Sequence, residues 1–99
     1  MLAYEFTERA AQDFDAAVEW YKRQRTELGR AVVDSIVQAI DIARSRPMSC
    51  PEIEAGVRGV RCVRFPYRIH FEVLPDRVRL LAIYHTSRNP ERWDDPDRD

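Results

Sequence analysis

The sequence has little of what marks several common classes of protein. Its two cysteines, Cys50 and Cys62, are too few and too far apart for a disulfide framework or a CxxC metal motif. No apolar run approaches the roughly 20 residues of a membrane-spanning helix. The N-terminus also lacks the basic and apolar blocks of a signal peptide. These absences predict a cytoplasmic chain with reduced thiols, no metal, no cofactor and no membrane partner.

Lysine is almost absent as well, because fifteen of the sixteen basic residues are arginine and only Lys22 is lysine. The net charge of −1 conceals an asymmetry: residues 1–56 balance at −3, residues 57–93 at +5 and residues 94–99 at −3. Guanidinium groups suit the recognition of carboxylates or phosphates at interfaces. The arginine-rich second half is therefore where functional residues are expected. The alternative explanation is a genome biased towards arginine codons.

The first half of the chain predicts one strand followed by two helices. Residues 2–6 alternate as a short strand does, and Thr7 is a suitable N-cap for a helix running to about Leu28. Gly29 is predicted to end that helix. A second helix with a broad apolar face follows and stops at Pro47. The short connection between the helices predicts an antiparallel hairpin.

The second half predicts three strands. Residues 47–57 contain two prolines and a glycine and are expected to be a connector. Strands follow at about 58–65, at 67–73 with clear alternation, and at 77–85 after a tight turn. The predicted fold class is α+β: an N-terminal strand, an antiparallel helical hairpin and a three-stranded antiparallel meander. One domain is expected, with residues 94–99 disordered.

Strict alternation also predicts which side chains share a face. In the last strand it places Val78, Leu80, Ala82 and Tyr84 on one face, and Arg79, Leu81, Ile83 and His85 on the other. In the strand before it, His70 alternates with Arg68 and Glu72 on a face expected to be solvated. Asp13, Asp15 and Glu19 are expected to form the solvated side of the first helix.

Two sets of residues are candidates for chemistry. His85 lies at the end of a strand and would titrate in a useful range, but nothing pairs it with a nucleophile, so a structural role is favoured. Arginines recur on adjacent strands, and those that share a face would form a basic concavity for phosphates or an acidic segment. The alternative is a solvated sheet face whose charges pair with acids of the helices. The arginines are Arg58, Arg61, Arg64, Arg68, Arg77, Arg79 and Arg88.

The segments VRCVRFPYRIHFEV and RVRLLAIYHTSRNPERW resemble the RelE/ParE superfamily of bacterial type II toxins. The likeness is closest to the ParE branch, through the F-P-Y-R-I segment and the H-x-x-R-x-P-x-x-W ending. It covers nearly the whole chain and implies a toxin neutralised by a ParD-like antitoxin. ParE-like members are associated with poisoning of DNA gyrase, whereas RelE-like members cleave messenger RNA on the ribosome.

Carried over residue by residue, the resemblance places Arg68 and Arg88 at basic positions of the RelE-type ribonuclease site. Here the chain departs from that pattern, because no tyrosine follows Arg88 and the aromatic there is Trp93, which has no hydroxyl. The lysines of the RelE-type strand are also missing, and arginine is a poor proton acceptor. A ParE-like, non-enzymatic gyrase inhibitor is therefore expected. The alternatives are an mRNA interferase using Arg68, His85 and Arg88, and an inactive binding module of the same fold.

Two surfaces follow from this interpretation. The target is expected to contact basic and aromatic residues of the sheet and of the segment after it: Arg58, Arg61, Arg68, His85, Arg88 and Trp93. The antitoxin is expected to dock on the second helix and the last strand, with apolar anchors beside an arginine. Those residues are Val33, Ile36, Val37, Ile40, Arg79, Leu81 and Ile83.

Overall fold

The computed structural model describes residues 1–87, in which two helices pack on one face of a five-stranded sheet. The elements follow one another as β1 (Ala3–Phe6), α1 (Glu8–Gln24), α2 (Thr26–Ser45), a 3-10 turn (Pro47–Ser49), β2 (Glu52–Glu54), β3 (Val57–Arg61), β4 (Tyr67–Val73) and β5 (Arg77–His85). This order confirms the predicted α+β fold. The expected connector at 47–57 contains an additional strand, because Glu52–Glu54 form β2. The strand predicted at about 58–65 is wrong at its end, since β3 stops at Arg61.

The strand order in the sheet is β1-β5-β4-β3-β2. Strand β1 runs parallel to β5, and every other neighbouring pair is antiparallel. Both outer strands are short: β1 pairs with residues 77–80 of β5, and β2 pairs with residues 57–58 of β3. The second halves of β5 and β3 therefore extend beyond their outer neighbours.

The predicted N-cap is confirmed, since Thr7 Oγ1 accepts a hydrogen bond from the backbone N–H of Ala10 at 3.1 Å. The predicted end of α1 at Gly29 is wrong. The chain breaks at Arg25, which is extended (φ −160°, ψ 139°) and separates α1 from α2. Gly29 is instead the fourth residue of α2, where an added Cβ would sit 3.2 Å from Lys22 Cβ. Glycine at this position lets the two helices approach closely.

The core lies between the helices and the inner face of the sheet. Its largest fully buried apolar side chains are Phe71, Ile36, Ile69, Leu80, Val32 and Val78. The predicted alternation of β4 is confirmed, because Tyr67, Ile69 and Phe71 are buried in this core. The tight turn before β5 is confirmed too, with Leu74 N–H donating to Arg77 O at 2.8 Å.

The predicted faces of β5 are wrong beyond Leu80, because a bulge interrupts its ladder with β4. Phe71 pairs with Leu80 but His70 pairs with Ala82, so Leu81 is the extra residue and alternation reverses after it. Ile83 therefore joins the core, whereas Ala82 and Tyr84 lie on the outer face, away from the helices.

Side chains from the start of α1 bind the backbone at this bulge. Thr7 Oγ1 lies 3.0 Å from Leu80 O and 3.2 Å from Leu81 O and can donate to either oxygen. The carboxylate of Asp13 accepts the N–H of Ile83 at 2.9 Å. The expectation that Asp13 is merely solvated is thus wrong. It satisfies a backbone donor of β5 where β1 has ended.

Candidate functional site

Arg61 of β3 and Arg68 of β4 face each other directly across the outer face of the sheet. We call them the facing pair. Cys62 N–H donates to Tyr67 O at 2.9 Å. Because hydrogen-bonded and non-hydrogen-bonded pairs alternate along an antiparallel ladder, Arg61 and Arg68 form a non-hydrogen-bonded pair, in which side chains approach closely. Like charges in this arrangement repel. Within residues 1–87 neither arginine forms an ion pair with a carboxylate.

His70 lies beside the facing pair and is completely buried, so the expectation that it is solvated is wrong. Its cross-strand partners are Gly59 and Ala82, which are too small to keep neighbouring side chains away. The Tyr84 ring packs 5.8 Å from the imidazole, centroid to centroid. Burial, reinforced by the charge of Arg68, lowers the pKa of His70 to about 3. The ring is therefore neutral at physiological pH, and its Nε2 accepts a hydrogen bond from Arg68 Nε at 3.0 Å.

The remaining arginines of the outer face are neutralised. Glu5 of β1 accepts hydrogen bonds from Arg77 Nε and from Arg79 Nε, each at 2.8 Å. Glu72 accepts from Arg79 Nη1 at 3.0 Å, and Arg77 also pairs with the carboxylate of Asp76. We call these five residues the ion-pair cluster. Here the predicted alternative, arginines paired with nearby acids, describes the surface correctly, although the acids come from the sheet and its turn rather than from the helices.

A cleft of about 500 Å³ opens beside the facing pair, at the edge of β3. Its lining comes from α2, the 3-10 turn and the two residues after it, β2, the second half of β3, and one residue of β4. These residues are Ile42, Ser49, Cys50, Pro51, Glu52, Ile53, Gly59, Val60, Arg61 and Arg68. Glu52 contributes an acid to this lining, but its Oε2 accepts the N–H of Gly56 at 3.1 Å. The cleft thus combines apolar side chains with the polar Ser49 and Glu52, and the facing pair lies at one side.

The structure brings together only part of the predicted target set. Arg61 and Arg68 share the outer face. Arg58 pairs with Phe71 in register and so faces the helices, where its Nη1 donates to Cys50 O at 2.7 Å. His85 also lies on the helix side, with its ring 5.0 Å from that of Tyr67. Arg88 and Trp93 lie outside the described residues.

The predicted antitoxin set is divided as well. Ile36, Ile40 and Ile83 are at most 5% exposed and belong to the core. Of these three, Ile40 also lies against a surface groove, between β1 and the two helices. The prediction that Ile83 shares a face with the arginines is wrong because of the bulge. Val37 is 44% exposed, whereas Val33 and Leu81 are partly buried. Arg79 is held by the ion-pair cluster.

An apolar groove of about 370 Å³ lies between β1 and the two helices. Its lining residues are Tyr4, Phe6, Ala11, Phe14, Asp15, Val37 and Ile40. Tyr4 and Val37 are nearly half exposed, and the Phe6 and Phe14 rings meet edge to face at 5.7 Å. Sequence reasoning missed the contribution of β1 to this surface. The available signal was an aromatic at every second position of a strand that later proved to be an edge.

Two further sequence expectations concern absences, and the structure bears on them only for residues 1–87. In that part of the chain, no group of three or more histidine, cysteine or acidic side chains is placed to hold a metal ion. None of its helices is long and apolar enough to cross a membrane. The pKa of the Cys62 thiol is raised by burial to about 11, so this cysteine stays protonated.

The N-terminal strand, the two helices and the antiparallel strands that follow agree with the fold that the resemblance to RelE/ParE toxins implies. Residues 4–90 match the family model of the ParE toxin of the type II toxin–antitoxin system parDE. The chain therefore belongs to the ParE toxin family. It is also similar to a chain of the chromosomal ParDE TA system from P. aeruginosa, with 25% identity, a TM-score of 0.74, and coverage of 86% of this chain and 96% of that one. No curated protein matches the sequence.

Proposed function

We propose that this ParE-family toxin acts without enzymatic chemistry, by inhibiting DNA gyrase, and that a ParD-like antitoxin neutralises it. The observation that carries the first part is the state of His70. A ribonuclease built on the facing pair would need a proton acceptor beside it. The histidine there is buried, has a pKa near 3 and already accepts a hydrogen bond from Arg68. The arrangement favours binding by fixed positive charge over proton transfer.

The facing pair is the part of the predicted target set that this proposal retains as contact residues. Within residues 1–87 these two guanidinium groups have no carboxylate partner, so they keep their full charge for a binding partner. The hydrogen bond to His70 holds Arg68 by Nε, which leaves its terminal amino groups to bind. Arg88 and Trp93 stay predicted contact residues. Arg58 and His85 would have to act from the helix side.

The test is a gyrase supercoiling assay with the purified chain, run beside transcript mapping in cells that express it alone. We expect loss of supercoiling and growth arrest, with ribosome-bound transcripts intact at early times. An Arg61→Gln, Arg68→Gln variant of unchanged melting temperature is expected to lose the inhibition. Rapid cleavage of transcripts at the ribosomal A site, with supercoiling unaffected, would instead establish the mRNA interferase. Harmless expression of the folded chain would establish an inactive binding module.

The antitoxin is proposed to dock an apolar segment in the groove between β1 and the helices. This revises the predicted surface: Val37 remains, Ile40 forms the floor, and Tyr4, Phe6 and Phe14 are added. Large, partly exposed aromatic side chains around a groove are the usual anchors of such interfaces. Val33, Leu81 and Arg79 stay predicted contacts at its margins.

Val37→Asp tests this surface. A charge in the groove is expected to weaken binding of the antitoxin encoded beside the toxin by about tenfold or more, as loss of a buried anchor does. Val63→Asp is the matched control, because Val63 is 66% exposed in the loop between β3 and β4, away from the groove. Equal affinities of the two folded variants, measured by titration calorimetry, would rule out the groove as the docking site.

A further inference from the structure

Within residues 1–87, the second half of β3 has a neighbouring strand on one side only. Strand β2 pairs with Val57 and Arg58 and is already irregular there. Beyond it, Gly59 N–H donates to Pro51 O at 3.0 Å. The chain before Pro51 is wound into the 3-10 turn at Pro47–Ser49 and offers no further strand. In the part of the chain that the structure describes, Val60 and Arg61 thus lie at an open edge of the sheet.

The backbone of Arg61 points out of this edge. Hydrogen-bonding direction alternates along a strand. Cys62 N–H points to β4, where it donates to Tyr67 O, whereas Gly59 N–H points away from β4 to Pro51. Arg61 has the same parity as Gly59, so its N–H and C=O point into the cleft. A sheet edge that presents such groups is a template for an added strand.

The two sides of this edge differ in chemistry. On the helix side, Val60 and Ile42 line the cleft with apolar atoms. On the outer side stand Arg61 and Arg68, whose mutual repulsion a carboxylate between them would relieve. The volume of about 500 Å³ lies within the usual range of binding pockets. Successive side chains of an added strand would meet these two surfaces in turn.

We propose that the edge of β3 binds an extended peptide segment in which acidic and apolar residues alternate. The segment pairs with the backbone of Arg61, places a carboxylate between Arg61 and Arg68, and places an apolar side chain against Ile42 and Val60. This inference deepens the proposed function and rests on it, since it gives the chemistry of the target segment that the facing pair recognises. A backbone phosphate would satisfy the arginines but would leave the apolar side and the strand edge unused.

The direct test uses isotope-labelled protein and the peptide acetyl-Val-Glu-Val-Glu-Val-amide. Its titration is expected to shift the amide signals of Val60 and Arg61 and to slow the hydrogen exchange of the Arg61 amide. Acetyl-Val-Lys-Val-Lys-Val-amide is the matched control and is expected to shift neither. Equal effects of the two peptides, or an Arg61 amide whose exchange does not change, would overturn the proposal. The proposal would also be overturned if inorganic pyrophosphate shifted the signals of Arg61 and Arg68 and the acidic peptide did not.

Two substitutions at one position separate charge from strand pairing. Arg61→Gln removes the charge and keeps the backbone N–H, whereas Arg61→Pro removes both. Because this N–H points away from β4, proline leaves the β3–β4 ladder intact. We expect the acidic peptide to bind Arg61→Gln about tenfold more weakly and Arg61→Pro more weakly still. Equal affinities of the two variants would exclude backbone pairing, and the exchange measurement on the unaltered chain decides the matter if Arg61→Pro does not fold.

The outcome is separable from that of the proposed function. If the chain inhibits gyrase while the acidic peptide leaves Arg61 unaffected, the toxin activity stands and the strand edge is not its binding site. If the peptide binds at the edge while supercoiling is unaffected, the edge recognises a partner of this chemistry and gyrase inhibition is wrong.

Discussion

The outer face of the sheet holds two pairs of arginines in opposite electrostatic states. Arg77 and Arg79 share the carboxylate of Glu5 and have further partners in Asp76 and Glu72. Arg61 and Arg68 face each other, and within residues 1–87 no carboxylate pairs with them. The same residue type on the same face is thus structural at the β1 edge and available for binding near the β3 edge. Neighbouring acids, and not the arginines themselves, make the difference.

Single substitutions in the two pairs of arginines test whether the pairs differ in role, because toxicity should depend on one pair and stability on the other. Arg61→Gln relieves a like-charge contact and is expected to leave unfolding free energy unchanged or raise it by about 0.2–1 kcal/mol, while growth arrest is lost. Arg79→Gln leaves Glu5 and Glu72 with less positive charge nearby, so the melting temperature should fall while growth arrest persists. Growth assays and thermal unfolding of both variants provide the measurement. The same response from both would mean that the two pairs do not differ in role.

The buried histidine gives the facing pair its own dependence on pH. The pKa of His70 is about 3 in the folded chain because of burial and the adjacent Arg68, but near 6.5 when unfolded. As the pH falls below 6.5, His70 binds a proton in the unfolded chain but stays neutral in the folded chain. Stability should therefore decline by roughly 2–3 kcal/mol between pH 6.5 and 4.5.

His70→Gln keeps a hydrogen-bond acceptor for Arg68 and removes the titration. Urea unfolding of this variant is expected to show a smaller decline in the free energy of unfolding between pH 6.5 and 4.5 than the unaltered chain shows. An equal slope in both proteins would mean that the folded chain does accept a proton on His70, contrary to its burial. The control is Glu5→Gln, which should keep the slope in this window.

The arginines of the facing pair were predictable from the sequence, but their distinction from Arg77 and Arg79 was not. Alternation in β4 correctly placed Arg68 and Ile69 on opposite faces of the sheet. The turn before β5 was predicted correctly from its proline and aspartate. The bulge at Leu81 left no local signal, because an apolar run fits either face of a strand. Its causes are non-local: β1 ends opposite Leu80, and Thr7 and Asp13 bind the backbone beyond it.

The burial of His70 and the existence of β2 share another non-local cause. His70 is covered because its cross-strand partners are Gly59 and Ala82, and register cannot be read from one strand alone. Gly59 also makes room for β2: a Cβ there would lie 2.6 Å from Ile53 Cδ1 and 3.3 Å from Arg68 Cδ. A glycine within a predicted strand is a sign of such close approach. Gly59 was therefore the local sign in the sequence that another segment packs closely against β3.

The stability that the ion-pair cluster contributes should be lost at a lower pH than the stability that depends on His70. This is the smallest of the predicted effects. Hydrogen bonds from Arg79 and then Arg77 hold the pKa of Glu5 below its usual value of about 4.5. A carboxyl with a lowered pKa stabilises the fold above that value, and the contribution disappears as the pH falls through the folded pKa. The groups are about one-third exposed, so salt and solvent screen them and the contribution is small.

Glu5→Gln isolates this contribution. The variant is expected to unfold at a slightly lower urea concentration than the unaltered chain at pH 7, and this gap is expected to close as the pH falls through the folded pKa of Glu5 and the carboxyl takes up its proton. The difference at pH 7 should also shrink in 1 M sodium chloride, where charges are screened within about 3 Å. A gap that does not shrink at all as the pH is lowered would mean that Glu5 stabilises β1 by packing and neutral hydrogen bonds. In that case the charge of Glu5 would not be what distinguishes Arg77 and Arg79 from the facing pair.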